Sequence, residues 1–184
     1  MKRDSSDIFP LLGPRLRLEV LRPEALTPSY LTWLNDPAVN RFLESRFAVH
    51  TAESLRAYVE AMFRSESNHL LGIYLKDESR HIGNIKLGPV DPHHYFADIG
   101  LLIGEKDCWG QGFATEAICL VRDFAFGPLG LRRLTAGCYG TNQGSERAFL
   151  KAGFKREGNR AGHYRDGDQW VDSVLLGMTN PALL

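Results

Sequence analysis

The sequence predicts an α+β domain, a mixed central sheet of about six to seven strands flanked by four helices. Three observations lead there. Polar and apolar residues alternate over 15–21 and again over 95–103, the two-residue period of a strand. Ala114, Ala117, Ile118, Val121 and Ala125 fall on one face of a helix, with Phe124 beside them. The segments follow the order strand, two helices, three strands, helix, strand, helix, two strands, with no repeat, low-complexity run or linker.

Residues 1–14 read as a loose polar arm ending in Gly13-Pro14, and residues 15–184 as one domain. The stretch 15–21 is the first strand. Pro23 opens a helical pattern carrying Leu26, Tyr30, Leu31 and Leu34. It stops at Asn35-Asp36-Pro37, because a residue before proline is pushed out of helical geometry. Thr51 and Glu53 start a second helix, with Leu55, Val59, Met62 and Phe63 at helical spacing. Residues 70–76 and 81–87 are strands on either side of the turn-like Asp77-Glu78-Ser79. Gly88-Pro89 breaks the pattern, and 95–103 resumes it as a strand. The helix after residue 112 ends at Gly127-Pro128. Residues 134–139 form a further strand. Asn142 begins a short helix ended by Gly153, which suits the left-handed position after a helix. Strands at 154–159 and 170–178 complete the order, with Asp166-Gly167 as the hairpin-turn signal between them.

Composition narrows the function. Lys and Arg number 22 against 22 for Asp and Glu, so no net field draws the chain to nucleic acid or an anionic membrane. The first residues are polar and lack the apolar segment of a signal peptide, and no stretch approaches the ~18 apolar residues of a spanning helix. A cytoplasmic protein is expected. Cys108, Cys119 and Cys138 show no Cys-x-x-Cys spacing, so reduced thiols are expected and no metal. Neighbouring His93 and His94 lack the further ligands that a metal site needs.

Chemistry concentrates where the strand ending at Ile103 passes through Gly110 and Gly112 into the helix beginning near Phe113. Glycines let backbone approach a ligand, and first-turn N–H groups have no helical partner, so a phosphate or pyrophosphate is the expected guest. A P-loop would need Gly-Lys-Ser/Thr, whereas Gly112 is followed by Phe113-Ala114-Thr115. The dinucleotide fingerprint fails at its last glycine, where Thr115 stands. The stretch resembles instead the acyl-CoA loop of the GNAT acetyltransferase superfamily, Arg/Gln-x-x-Gly-x-Gly/Ala. Gly112 and Ala114 match, and Trp109 replaces the usual Arg or Gln. Trp-Gly-x-Gly-x-Ala-Thr-Glu-Ala is similar to the branch of ribosomal-protein N-terminal acetyltransferases. Trp33-Leu34-Asn35-Asp36-Pro37-Ala38-Val39 resembles a segment of the same branch. The resemblance covers roughly residues 15–178 and implies the GNAT fold.

It also implies acetyl transfer from acetyl-CoA to a primary amine by direct attack on the thioester. The backbone of Gly110, Gln111, Gly112, Phe113, Ala114 and Thr115 would cradle the phosphates. Leu101, Leu102 and Ile103 match the splayed strand that holds the pantetheine arm and offers main-chain donors where charge develops. The superfamily's usual proton-donating Tyr falls at Phe149, so that acid is absent. Asn142-Gln143-Gly144-Ser145 matches the Asn-x-x-Ser of the ribosomal-protein branch. It makes Ser145 the proton donor to sulfur and Asn142 a pantetheine contact, helix capping being the alternative for both. An amine of pKa about 10.4 must lose a proton, and the candidate bases are Asp98 and, just before its strand, His93 or His94. A solvated strand-edge carboxylate is the plainer reading of Asp98. His94, Trp33, Asn35 and Tyr164, with Arg41, Glu44, His163 and Arg165, are candidates to line the acceptor pocket. The acceptor is expected to be a protein N-terminus, or alternatively a small polar amine such as a nucleotide-linked amino sugar. A non-catalytic acyl-CoA sensor is the third reading. A homodimer is the expected assembly, with no nucleic-acid or membrane partner.

Overall fold

The computed structural model describes residues 8–183. Its strands are β1 (Leu11–Leu12), β2 (Leu16–Val20), β3 (His69–Leu75), β4 (His81–Leu87), β5 (Phe96–Ile103), β6 (Arg133–Tyr139), β7 (Lys155–Asp166) and β8 (Gln169–Thr179). They form one sheet in the order β1-β2-β3-β4-β5-β6-β8-β7. Every neighbouring pair is antiparallel except β5 and β6, which run parallel. The helices are α1 (Pro28–Asn35), α2 (Pro37–Asn40), α3 (Ala52–Arg64), α4 (Phe113–Phe126) and α5 (Gln143–Lys151).

Alternation along the strands divides the core in two. Leu71, Ile73, Ile85, Leu87, Ala97 and Ile99 face α4, meeting Ala117, Ile118, Val121 and Phe124. On the opposite face Leu70 and Leu102 pack with Tyr30, Trp33 and Leu34 of α1 and Leu55 and Val59 of α3. Thr51 caps α3 reciprocally with Ser54, each side chain bonded to the other's backbone.

Several elements differ from the sequence expectation. Leu11–Leu12 lies in the stretch expected to be a loose arm, yet it pairs with Leu18 and Arg17 as an edge strand. The expected helix after Pro23 starts only at Pro28, preceded by one 3-10 turn at Pro23–Ala25. A fifth helix, α2, follows because Asp36 caps it, accepting from Ala38 N at 2.9 Å, while Pro37 needs no donor at N1. β7 runs to Asp166 through two register shifts, and Gly167, at φ 65°, makes the tight turn into β8.

His81 is buried on β4, held by Thr27 Oγ1 at Nδ1 (3.0 Å) and Asn84 Oδ1 at Nε2 (3.1 Å), and stacked on Tyr74. Burial pushes its pKa below the ordinary value, with the Asn84 bond working the other way; burial lowers His69 likewise. The unfolded chain therefore takes up protons near pH ~6.5 that the folded chain resists. This contribution to stability is complete above that pH and is lost as pH falls through it toward the folded pKa. Asp36, Asp91, Asp107, Asp166 and Asp172 have lowered pKa values and lose their contributions only under more acid conditions. The melting temperature should drop between about pH 7 and pH 5, and His81→Gln should flatten that drop. An unchanged slope in the variant assigns the effect elsewhere.

Candidate active site

The parallel ladder between β5 and β6 contains three residue pairs, Phe96–Arg133, Ala97–Leu134 and Asp98–Thr135. Both strands continue past it, β5 to Ile103 and β6 to Tyr139, and the sheet opens between them. Asp98 O accepts from Gly88 N and Gly104 N donates to Ile82 O, so the even-numbered residues of β5 turn their main chain toward β4. Main-chain groups alternate along a strand, so Ile99, Leu101 and Ile103 direct theirs into the gap. The carbonyl of Ile103 is taken by the Trp109 indole at 2.8 Å. Of the three residues expected to hold a pantetheine arm, Leu101 thus offers free backbone. Leu102, paired with Asn84, contributes only a side chain on the acceptor face.

At the open end stands the glycine loop. Gly110 (φ 73°) and Gly112 (φ 84°) both adopt the left-handed region. Gly112 is the cap residue of α4 and has no side chain to bond the first turn, so the N–H groups of Phe113, Ala114 and Thr115 are left for a ligand. A Cβ on Gly110 would meet nothing within 4 Å, which leaves room against the loop. This fits a pyrophosphate. Glu116 holds the loop from below, accepting from Arg15 N (2.8 Å), Arg15 Nε (2.9 Å) and Leu16 N (2.9 Å). Arg15 Nη1 donates to Gln111 O at 3.0 Å, and its guanidinium lies 4.4 Å over the Phe113 ring. The Gln111 side chain is bound to Asp107 O, so Gln111 can serve a ligand through its main chain. Cys108 beside the loop is buried, and burial raises its thiol pKa, which leaves it inert.

Across the gap is the head of α5. Asn142 Oδ1 accepts from Ser145 N at 3.1 Å, an ordinary helix cap. Ser145 is half-buried and close to the Cys138 thiol, whose pKa burial pushes up to about 11. Phe149, in the position of the missing Tyr, is 1% exposed and packs edge-on against Phe154.

The remaining candidates do not converge. Asp98 is exposed at the closed end of the gap, its Oδ1 bonded by the Thr135 hydroxyl. His94 precedes β5, behind the paired residues and away from the glycine loop, with its N–H given to Asp91. Trp33 is 4% exposed and donates to Glu105 at 3.0 Å, and its ring lies against Gly104, where a Cβ would clash. Asn35 spends both ends of its amide on Leu31 and His50. His94 thus lies in a loop away from the glycine loop and Trp33 is a buried support, whereas Asn35, its amide engaged, still lines the cavity described below.

Tyr164 does face this side, stacked 4.1 Å from Tyr139. Tyr139 is the residue that sequence reasoning passed over. Its hydroxyl donates to Glu44 Oε1 at 2.5 Å and accepts from Arg46 Nη1 at 2.8 Å. Burial, then the bond to Glu44, pushes its pKa up to about 12. A cavity of about 440 Å³ lies nearby, lined by residues that include Asn40, Arg41, Arg46, Val49 and Asp166. Arg41 and Asp166 are paired across it at 3.0 Å. No group of three or more His, Cys, Asp or Glu that could hold a metal occurs among the described residues.

Comparison with known proteins gives this arrangement its context. Residues 15–155 match the family model described as an acetyltransferase (GNAT) domain. The chain is 30% identical over 170 residues to the uncharacterized N-acetyltransferase YoaA of Bacillus subtilis, covering 91% of this chain and 96% of that protein. Among solved structures it is similar to an acetyltransferase (GNAT family) from Bacillus anthracis, with TM-score 0.78, 21% identity, and 94% and 99% of the two chains covered. It is also similar to spermidine N-acetyltransferase from Vibrio cholerae in complex with CoA and spermine, with TM-score 0.80, 16% identity, and 91% and 97% covered.

Gly112→Val introduces a β-branched side chain in left-handed geometry at the cradle. The dissociation constant for CoA, measured by calorimetry, should rise by roughly tenfold or more. Gly112→Asn, whose side chain tolerates that geometry, separates strain from obstruction. Unchanged affinity in both would remove the loop from CoA binding.

Proposed function

We propose, from the premise that this chain belongs to the GNAT acetyltransferase family and uses acetyl-CoA, that it acetylates a primary amine by direct attack on the thioester. The observation that carries the reading is the gap between β5 and β6, with the uncapped start of α4 at its mouth. Phosphates rest on the N–H groups of residues 110–115, and the arm lies along the free backbone of Leu101. The Leu101 N–H supports the carbonyl oxygen as charge develops there. Ser145, in the first turn of α5, passes a proton to the departing sulfur, and Asn142 orients that turn. A carboxylate on the acceptor face, Asp98 or a neighbour, relieves the amine of its proton.

A protein N-terminus is the acceptor that the surface favours. The segment following Glu44 exposes Phe47 (71%) and Val49 (87%) beside the cavity, an apolar rim that suits a peptide more than a sugar. The small-amine reading has its own support, since the cavity's lining is largely polar, with Asn35, Asn40, Arg41, Arg46 and Asp166.

Thiol release from acetyl-CoA across peptides with Ala or Ser N-termini, polyamines, amino acids and nucleotide-linked amino sugars tests the assignment. Ala- or Ser-initial peptides should be the fastest. Preference for a nucleotide-linked amino sugar would establish the second reading. With the best acceptor, Ser145→Ala should lower kcat by about a hundredfold while leaving acetyl-CoA affinity nearly unchanged. Equal turnover would exclude Ser145 from the proton transfer.

A further inference from the structure

We infer that Glu44 is the group that receives the acceptor's ammonium and takes its proton, and that Tyr139 is the positioning residue that holds it there. The inference rests on the acetyltransferase reading above and names the base that it leaves open.

Register locates the site. Continued beyond Asp98–Thr135, the β5–β6 alignment sets Leu101 level with Cys138 and Leu102 level with Tyr139 across the gap. The free Leu101 N–H marks the level of the thioester carbonyl. Thr135, Gly137 and Tyr139 alternate onto the same face as Asp98 and Leu102, the face an acceptor must approach. Tyr139 therefore stands at the level of the reacting carbon. Asp98 stands four residues lower, about 13 Å along the strand, where the ladder is closed.

Chemistry then singles out Glu44. It lies on a 3-10 turn, Glu44–Phe47, and is exposed. One carboxylate oxygen takes the Tyr139 hydroxyl, and the other has no partner among the described residues. Tyr139 itself is 3% exposed and cannot meet a substrate. Its ring is clamped between Tyr164 and Phe42, 4.1 and 5.6 Å away. Arg46 completes the chain from the far side, spending its guanidinium on the Tyr139 hydroxyl, Leu43 O and Arg165 O. Because Arg46 donates to the phenol oxygen, the phenol proton is directed at Glu44. The result is one fixed carboxylate with one free oxygen at the rim of the gap.

The step balances. The ammonium donates to the free oxygen of Glu44 and passes it a proton, leaving a neutral amine and a carboxylic acid. The nitrogen lone pair forms the N–C bond while the C–S bond breaks, and sulfur keeps the electron pair. The second nitrogen proton reaches sulfur through Ser145, and Glu44 returns its proton to water.

Hydroxylamine makes the test specific, because it is uncharged at mildly alkaline pH and needs neither an ion pair nor prior deprotonation. Thiol release is measured with spermidine, an Ala-initial peptide amide and hydroxylamine for the wild type, Glu44→Gln, Tyr139→Phe and Asp98→Asn. Glu44→Gln should lower kcat/KM for the cationic amines by about a hundredfold while leaving hydroxylamine turnover, acetyl-CoA affinity and melting temperature unchanged. Tyr139→Phe, which preserves the ring stack, should show the same selective loss at roughly tenfold. Equal loss with hydroxylamine, no loss at all, or selective loss in Asp98→Asn alone would overturn the assignment. Wild-type activity on hydroxylamine but on neither cationic amine would overturn it as well. Absence of release with every nucleophile would instead overturn the acetyltransferase reading beneath it.

Discussion

Between β5 and β6 the ladder ends at Asp98 and Thr135 although both strands go on. Main-chain polar groups inside a protein cost about 1–3 kcal/mol each when nothing answers them, so an open edge in mid-sheet has to be stabilised from elsewhere. Each strand is secured along its other edge. β5 pairs with β4 from Ile99 to Ile103, and β6 pairs with β8 over its full length. α4 packs on the first half of the sheet and α5 on the second, and Arg122 of α4 donates to Ala152 O after α5 at 2.8 Å. The two halves are thus tied behind the gap while its mouth stays open. On the proposed reading, a ligand with an extended amide-bearing arm answers the free groups, so that binding and sheet completion become one event.

The glycine loop depends on the same economy of contacts. Two residues in left-handed geometry would be free to wander without anchors on either side. Glu116 supplies one anchor, three hydrogen bonds from the first turn of α4 to Arg15 and to Leu16 at the start of β2, and its side chain is only 12% exposed. Arg80 supplies the other, bonding Glu105 and Asp107 just before the loop and holding the Asp107 carboxyl below its ordinary range. Exposed pairs such as Arg80–Asp107 contribute little to stability. Their effect here is geometric, since they fix where the loop leaves β5.

What could be read from sequence was what is local. The strand at His81–Leu87 has the bounds its residues suggest, and Gly153, at φ 98°, ends α5 as its position implies. Leu11–Leu12 was illegible because two residues carry no period and become a strand only through β2. β7 was cut short because Gly158 and Gly162 interrupt the alternation at its register shifts. The anion loop was legible for the same local reason, since its glycines and helix start are contiguous. On the acceptor side single residues such as Glu44 and Tyr164 were legible, but their link through Tyr139 was not. Glu44 and Tyr139 meet across 95 residues, and no spacing announces such a pair. Trp33 and Asn35 looked available because an indole and an amide are good ligands, but Gly104, Glu105 and His50 had already engaged them.

The replacement of Tyr by Phe149 does not leave the sulfur side empty. Phe149 is sealed in the core against Phe154, and a hydroxyl there would need a hydrogen-bond partner within an apolar cluster. Ser145 lies four residues earlier on the same helix, so it shares the face of Phe149 one turn nearer the N-terminus. In the proposed role, a short side chain that close to the helix start serves the gap without crossing the core, where unpaired N–H groups favour negative charge on a departing thiolate. Moving the hydroxyl by one turn keeps it on the required face and frees position 149 for packing. On the proposed reading, the substitution that argues against catalysis when position 149 is viewed alone becomes, on the helix as a whole, a redistribution of the same two duties.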